Sequence, residues 1–178
     1  MGAVWSSIWS MFGAKREYKI VVVGLNNAGK TSILYALQLG KFVPTQPTLG
    51  GNVEEVTFRN LKFLVWDLGG QEALREAWSL YYTKTDAVIM VVDSADPDRL
   101  SIVKDELVKM LGHPDLIDAA VLIFANKQDL QGALPPEKIA EALELTQITR
   151  HQWRIQPCSA LTQQGLNDGM GWIASQVK

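Results

Sequence analysis

Eight residues constrain this chain more than any others: Gly24-Leu25-Asn26-Asn27-Ala28-Gly29-Lys30-Thr31. They match G-x-x-x-x-G-K-[ST] in full and stand between an apolar run, Tyr18–Gly24 (YKIVVVG), and a helical pattern, Lys30–Leu39. That strand–loop–helix context separates a phosphate loop from an ordinary glycine-rich turn. Gly24 and Gly29 let backbone N–H groups turn inward around phosphate oxygens, and the helix N-terminus adds positive potential. In such a loop Lys30 reaches the β- and γ-phosphates, and the Thr31 hydroxyl binds Mg²⁺. The motif implies a nucleoside triphosphate and leaves the base and the reaction open.

The rest of the chain continues the alternation of short apolar runs with helical patterns. Val53–Phe58 and Leu61–Asp67 are separated only by Arg59 and Asn60, which predicts an antiparallel hairpin. Ala87–Asp93 and Val121–Asn126 read as buried strands, and Trp153–Cys158 as a weaker one. Helical patterns fill Arg75–Tyr82, Pro97–Leu111, Pro136–Leu143 and Gln164–Val177. The sum is an α/β fold: a doubly wound, mostly parallel six-stranded sheet with one antiparallel strand. A length of 178 residues fits one such domain, and 47% hydrophobic against 20% charged residues excludes disorder. A net charge of −2 gives no bulk reason to bind nucleic acid, and nothing in the composition demands an obligate partner, so a monomer is expected. The only cysteine, Cys158, excludes an intrachain disulfide and reads as a small buried hydrophobe. His113 and His151 offer no metal-ligand spacing.

Ligands of doubly wound sheets bind beyond the C-terminal ends of the parallel strands, so the strand-end loops carry the chemistry. Asn126-Lys127-Gln128-Asp129 directly follows one apolar strand. A carboxylate there can accept two hydrogen bonds from the N1–H and amino group of guanine, a donor pair that adenine lacks. Asp67-Leu68-Gly69-Gly70-Gln71 follows another strand. Asp67 can reach Mg²⁺ through a water, Gly70 can offer its N–H to a γ-phosphate, and Gln71 can orient the attacking water. Thr48, in Pro47-Thr48-Leu49-Gly50, can cover the γ-phosphate side of the metal.

The quartet GLNNAGKT, PTLGG, WDLGGQE and NKQD, in this order and spacing, resembles the small GTPases of the Arf and Arf-like class. NVEEV, KMLGHPDL, LIFANKQDL and HQW look closest to the Golgi-associated Arf-like protein five subgroup. The resemblance spans essentially the whole chain. It implies phosphate contacts from Asn26, Asn27, Ala28, Gly29, Lys30 and Thr31, with Ser32 beside them, and Mg²⁺ held by Thr31 and Thr48. It implies catalytic roles for Lys30, Gly70 and Gln71. Guanine is read by Asn126, Lys127 and Asp129, with Ser159 and the Ala160 N–H in the last loop. It further implies slow hydrolysis of GTP to GDP, with an exchange factor, an activating protein and effectors as partners. The implied place is the cytoplasm, with cycling to the cytosolic face of Golgi membranes in vesicle trafficking. Two departures stand out: Asn26 replaces the usual aspartate, and Gly51 the usual phenylalanine of the exchange-factor surface. No arginine is placed by motif to act in cis, and Arg75 and Arg99 read as surface residues.

Residues 1–17 read as a segment distinct from the domain at 18–178. Met1-Gly2-Ala3-Val4-Trp5-Ser6 fits the N-myristoylation pattern with Gly2 as acceptor. At ~100° per residue Val4, Trp5, Ile8, Trp9, Met11 and Phe12 share one helical face, opposite Ser6, Ser7 and Ser10. Such a helix either packs on the domain or lies in a membrane interface. In the Arf family the two alternate with the nucleotide. No apolar run reaches the ~20 residues of a membrane span. Two other readings of the phosphate loop remain at this stage. A nucleotide-dependent scaffold leaves Gln71 unused, and a phosphate-loop kinase leaves NKQD unused.

Overall fold

Strand β1 (Glu17–Val23) is apolar on both sides because both sides are covered: Ile20 and Val22 enter one core cluster, and Val21 and Val23 the other. The same alternation runs through β4 (Ala87–Asp93) and β5 (Ala120–Asn126), where Ile89 and Phe124 face one way and Met90 and Ile123 the other. Strands buried on both faces are the mark of a parallel sheet with helices above and below. In the computed structural model, which describes residues 17–46, 49, 51–59 and 61–177, six strands pair in the order β2-β3-β1-β4-β5-β6. β2 (Gly51–Phe58) runs antiparallel to β3 (Leu61–Leu68), with Phe58 opposite Leu61 across a two-residue turn. The other pairings, through to β6 (Trp153–Pro157), are parallel. The expected sheet, with its single antiparallel strand, is the observed one.

Helices α1 (Lys30–Leu39) and α5 (Leu166–Gln176) cover one face through Ile33, Leu34, Met170 and Ile173. Helices α3 (Leu100–Leu111) and α4 (Pro136–Ala142) cover the other through Val103, Leu107, Met110 and Ile139. The chain leaves β1 toward β3 on one side and returns to β4 on the other, so the crevice of a topological switch point opens at the end of β1. There the phosphate loop sits. No helix among the described residues is long and apolar enough to cross a membrane.

The helix expected over Arg75–Tyr82 is broken into a short helix α2 (Glu72–Arg75) and a 3₁₀ turn, Trp78–Tyr81. The cause is Trp78, whose indole is buried and whose Nε1 donates to Gly69 O at 2.9 Å. Seating that ring beneath the preceding loop tightens the chain into i→i+3 bonding, as Leu80 N→Ala77 O shows. The helical pattern at Pro97 likewise starts as a 3₁₀ turn, Pro97–Arg99, before α3. The last helix begins at Leu166 and not at Gln164, because Gly165 takes φ +76°. A Cβ there would lie 2.1 Å from Pro157 O. The segment 1–16, with Gly2 and the apolar face, lies outside the described residues, as do Pro47, Thr48 and Gly50.

Left-handed φ and the backbone clash act together at Gly165, so Gly165→Ala is expected to lower stability by about 2 kcal/mol or more. Urea unfolding monitored by tryptophan fluorescence checks this.

Candidate nucleotide-binding site

Lys30 opens α1 with its side chain folded back over the loop that precedes it. Its Nζ donates to Gly24 O at 3.0 Å and Leu25 O at 3.1 Å, and the residue is buried. Burial lowers the amine's pKa to about 8, with the Asp67 charge pulling it back up. An ammonium so placed has two neutral acceptors and one carboxylate nearby, too little to replace water, and it favours an anion. Beside it, Thr31 Oγ1 donates to Asp67 Oδ2, which brings the last residue of the loop and the end of β3 together. A hydroxyl next to a carboxylate is a hard-oxygen set that suits Mg²⁺.

Lys30 and Thr31 line a cavity of about 410 Å³ with Asn27, Ser32, Gly70, Gln71, Lys127 and Asp129. The loop's far wall is fastened by Asn126. Its buried Nδ2 donates to Ala28 O at 2.8 Å, while its Oδ1 accepts from Ala160 N at 3.0 Å. Asn126 therefore ties three loops together, and the Ala160 N–H that the resemblance aimed at guanine is directed at this side chain. Ser159 Oγ donates to Asp129 Oδ1 and accepts from Thr162 N at 3.1 Å, so it aims the carboxylate. Lys127 lies at the end of β5 with Nζ 2.6 Å from Asp93 Oδ2.

Gly70 is buried against the phosphate loop, and its O accepts from Asn26 N at 3.1 Å. A Cβ on Gly70 would fall 2.4 Å from Gly24 O and from the Leu25 carbonyl carbon, so only glycine permits this approach. Gln71 is exposed at the cavity mouth, at the N-terminus of α2, where its carbonyl accepts from Leu74 N at 2.9 Å. Thus the structure brings together every sequence-predicted site residue that it describes. Thr48 and Gly2 lie outside those residues.

Two expectations change. Arg75 is not a surface residue: Nη1 meets Glu106 Oε1 at 2.9 Å, with both side chains largely covered. Arg99 reaches back to the phosphate loop, donating from Nη1 to Asn26 Oδ1 at 3.0 Å and Asn26 O at 3.2 Å. Residues missed from sequence are Arg99, Asp93, and Thr45, whose Oγ1 lies 3.3 Å from Ser32 Oγ. Asp93 had a visible signal, a lone acid ending an apolar strand. Cys158 is buried as expected, and burial, with the Asp129 charge behind it, pushes its thiol pKa far up.

The sequence profile of the ADP-ribosylation factor family matches residues 4–177. ADP-ribosylation factor-like protein 5A of Bos taurus is 51% identical over 178 residues, covering 100% of this chain and 99% of that protein. ADP-ribosylation factor-like protein 5 of Dictyostelium discoideum is 48% identical over 175 residues, covering 98% and 96%. Among solved structures, the Arl6 BBS3 small GTPase of Trypanosoma brucei with the nucleotide analogue GppNp superposes with a TM-score of 0.85 at 34% identity, covering 91% of this chain and 98% of that one. The chain belongs to the ADP-ribosylation factor family. It is a small GTPase, a switch that binds GTP and hydrolyses it to GDP and phosphate.

Asn126→Ala is expected to leave buried Ala28 O and Ala160 N unpaired, at a cost of about 2–4 kcal/mol for the two groups. Native-state hydrogen exchange, read by NMR at the Ala160 amide, should show protection falling well below that of the β5 core.

Proposed function

We propose that this chain is a membrane-cycling GTPase in which the described cavity holds guanine nucleotide and the N-terminal segment reports its state. The observation that carries the site reading is the buried Lys30 ammonium, held by two loop carbonyls at the edge of the cavity. In this reading Lys30 meets the β- and γ-phosphates, and Asn27 to Thr31 supply backbone donors. Asp129, aimed by Ser159, accepts from the N1–H and amino group of guanine. Asn126 acts as a brace that holds the phosphate loop and the Ala160 loop at the spacing of the nucleotide. Lys127, paired with Asp93, borders the base.

Thr31 and Thr48 would hold Mg²⁺, with Asp67 reaching it through water, and the ion would neutralise charge on the phosphates. Gly70 offers its N–H to the γ-phosphate, and Gln71 at the cavity mouth orients the water that attacks it. Its place there favours hydrolysis over the scaffold reading. Intrinsic hydrolysis is slow, and an activating protein that supplies an arginine accelerates it on the order of 10³–10⁵-fold. The γ-phosphate orders the Thr48 and Gly70 segments, and its loss releases them.

Gly2 carries a myristoyl group in this proposal, and the apolar face of residues 4–12 is the second signal that one acyl chain needs for stable attachment. In this reading the membranes are those of the Golgi, in vesicle trafficking, as the resemblance to the Arf-like protein five subgroup implies. Flotation of the N-myristoylated chain with phosphatidylserine-containing vesicles tests the coupling. The protein loaded with a non-hydrolysable GTP analogue floats and the GDP form does not, Thr31→Asn removes the difference, and Gly2→Ala abolishes flotation. Equal flotation in both nucleotide states contradicts the coupling.

A further inference from the structure

Asp96, Arg99, Asn26 and Gly70 form a continuous chain of hydrogen bonds that ends one residue before Gln71. Arg99 is half-buried, and three of its bonds are fixed: Nε donates to Asp96 Oδ2 at 2.6 Å, and Nη1 donates to both the side chain and the carbonyl of Asn26. The guanidinium plane therefore holds residue 26 by its outward-facing acceptors. The inward-facing donor of the same residue, Asn26 N, is the one that binds Gly70 O. That bond fixes the peptide joining Gly70 to Gln71. Gly70 itself is seated on Gly24 and Leu25 so closely that only glycine fits there.

We infer that Arg99 is a positioning residue for GTP hydrolysis, acting through Asn26 and Gly70 to set the backbone from which Gln71 reaches the attacking water. The inference rests on the assignment of Gln71 to that water. Arg99 touches neither nucleotide nor water in this scheme; its guanidinium is engaged with Asp96 and Asn26. Asn26 suits the arrangement because its amide accepts from Arg99 without placing a carboxylate in the phosphate loop. A lysine cannot replace the arginine, since one ammonium on a flexible stem does not reproduce a planar fork that bonds Asp96 and Asn26 together.

The test is single-turnover hydrolysis of GTP by the full chain in Mg²⁺, with GDP affinity measured in parallel. Loss of the Arg99 bonds in Arg99→Ala is expected to slow hydrolysis about fivefold while GDP affinity changes less than about twofold, the scale of one or two net hydrogen bonds. Arg99→Lys should show most of the same loss. Arg99→Ala added to Gln71→Leu should slow the reaction no further, because both act on the same water. Unchanged hydrolysis in Arg99→Ala beside slow hydrolysis in Gln71→Leu overturns the inference and leaves the assignment of Gln71 standing. Unchanged hydrolysis in Gln71→Leu overturns both. A parallel fall of GDP affinity and hydrolysis makes Arg99 a structural support of the loop and also overturns the inference. Should Arg99→Ala fail to fold by melting curve, Asp96→Ala, which removes the carboxylate that holds the guanidinium toward Asn26, decides the matter in the same assay. It is expected to slow hydrolysis with GDP affinity retained.

Discussion

The site depends on a positive charge that the fold buries without fully neutralising. Lys30 Nζ sits between two backbone carbonyls, and the nearest compensating charge, Asp67, is already engaged by Thr31. Burial, partly offset by the Asp67 charge, pulls its pKa down to about 8, so the protein carries this charge at a free-energy cost. An anion of high charge density relieves that cost, and the phosphates of a nucleotide are such an anion. The rest of the architecture brings this about. A parallel strand delivers the loop to the switch point of the sheet, and α1 begins at the lysine itself.

Holding the loop open at the right width is a second problem, and the structure meets it with hydrogen bonds across long sequence separations. Asn126 spans from the phosphate loop to the Ala160 loop, and Arg99 holds the loop's other side through Asn26. One brace stands at the end of β5 and the other follows β4, both on the β4 side of β1. Neither adds a negative charge at the phosphate face. The segment that must respond to a γ-phosphate is attached more lightly. Gly70 bonds to the loop through Asn26 N, and Gln71 is exposed. Rigid walls and a weakly fastened switch segment are what a two-state device requires.

Strand faces, the phosphate loop and the guanine loop were legible in the chain because they depend on local pattern. The unbroken apolar runs in AVIMVVD and VLIFAN state directly that both faces are covered, and G-x-x-x-x-G-K-T is contiguous. What escaped was set by contacts across long sequence separations. Arg99 and Asn26 are 73 residues apart, and Asn126 and Ala28 are 98 apart, so no window of sequence contains either pair. The broken helix at Trp78 has the same origin: periodicity reads the ring as part of a helical stripe, whereas its indole N–H is committed to Gly69 O. The role of Ser159 was half legible. Its loop was found, but the hydroxyl that aims Asp129 emerges only when β5 and β6 lie side by side.

The most direct test of the central claim is proton linkage at Lys30. With the free amine near pKa 8, most of it is neutral at pH 9, where nucleotide phosphates are fully ionised. Phosphate beside it favours the charged form and raises the pKa, so binding at pH 9 must take up protons. Calorimetric titration of GDP in Mg²⁺, in two buffers of different ionisation enthalpy, measures this. The account predicts uptake approaching about one proton at pH 9 and close to none from this group at pH 7. Binding at pH 9 with no proton uptake would contradict it.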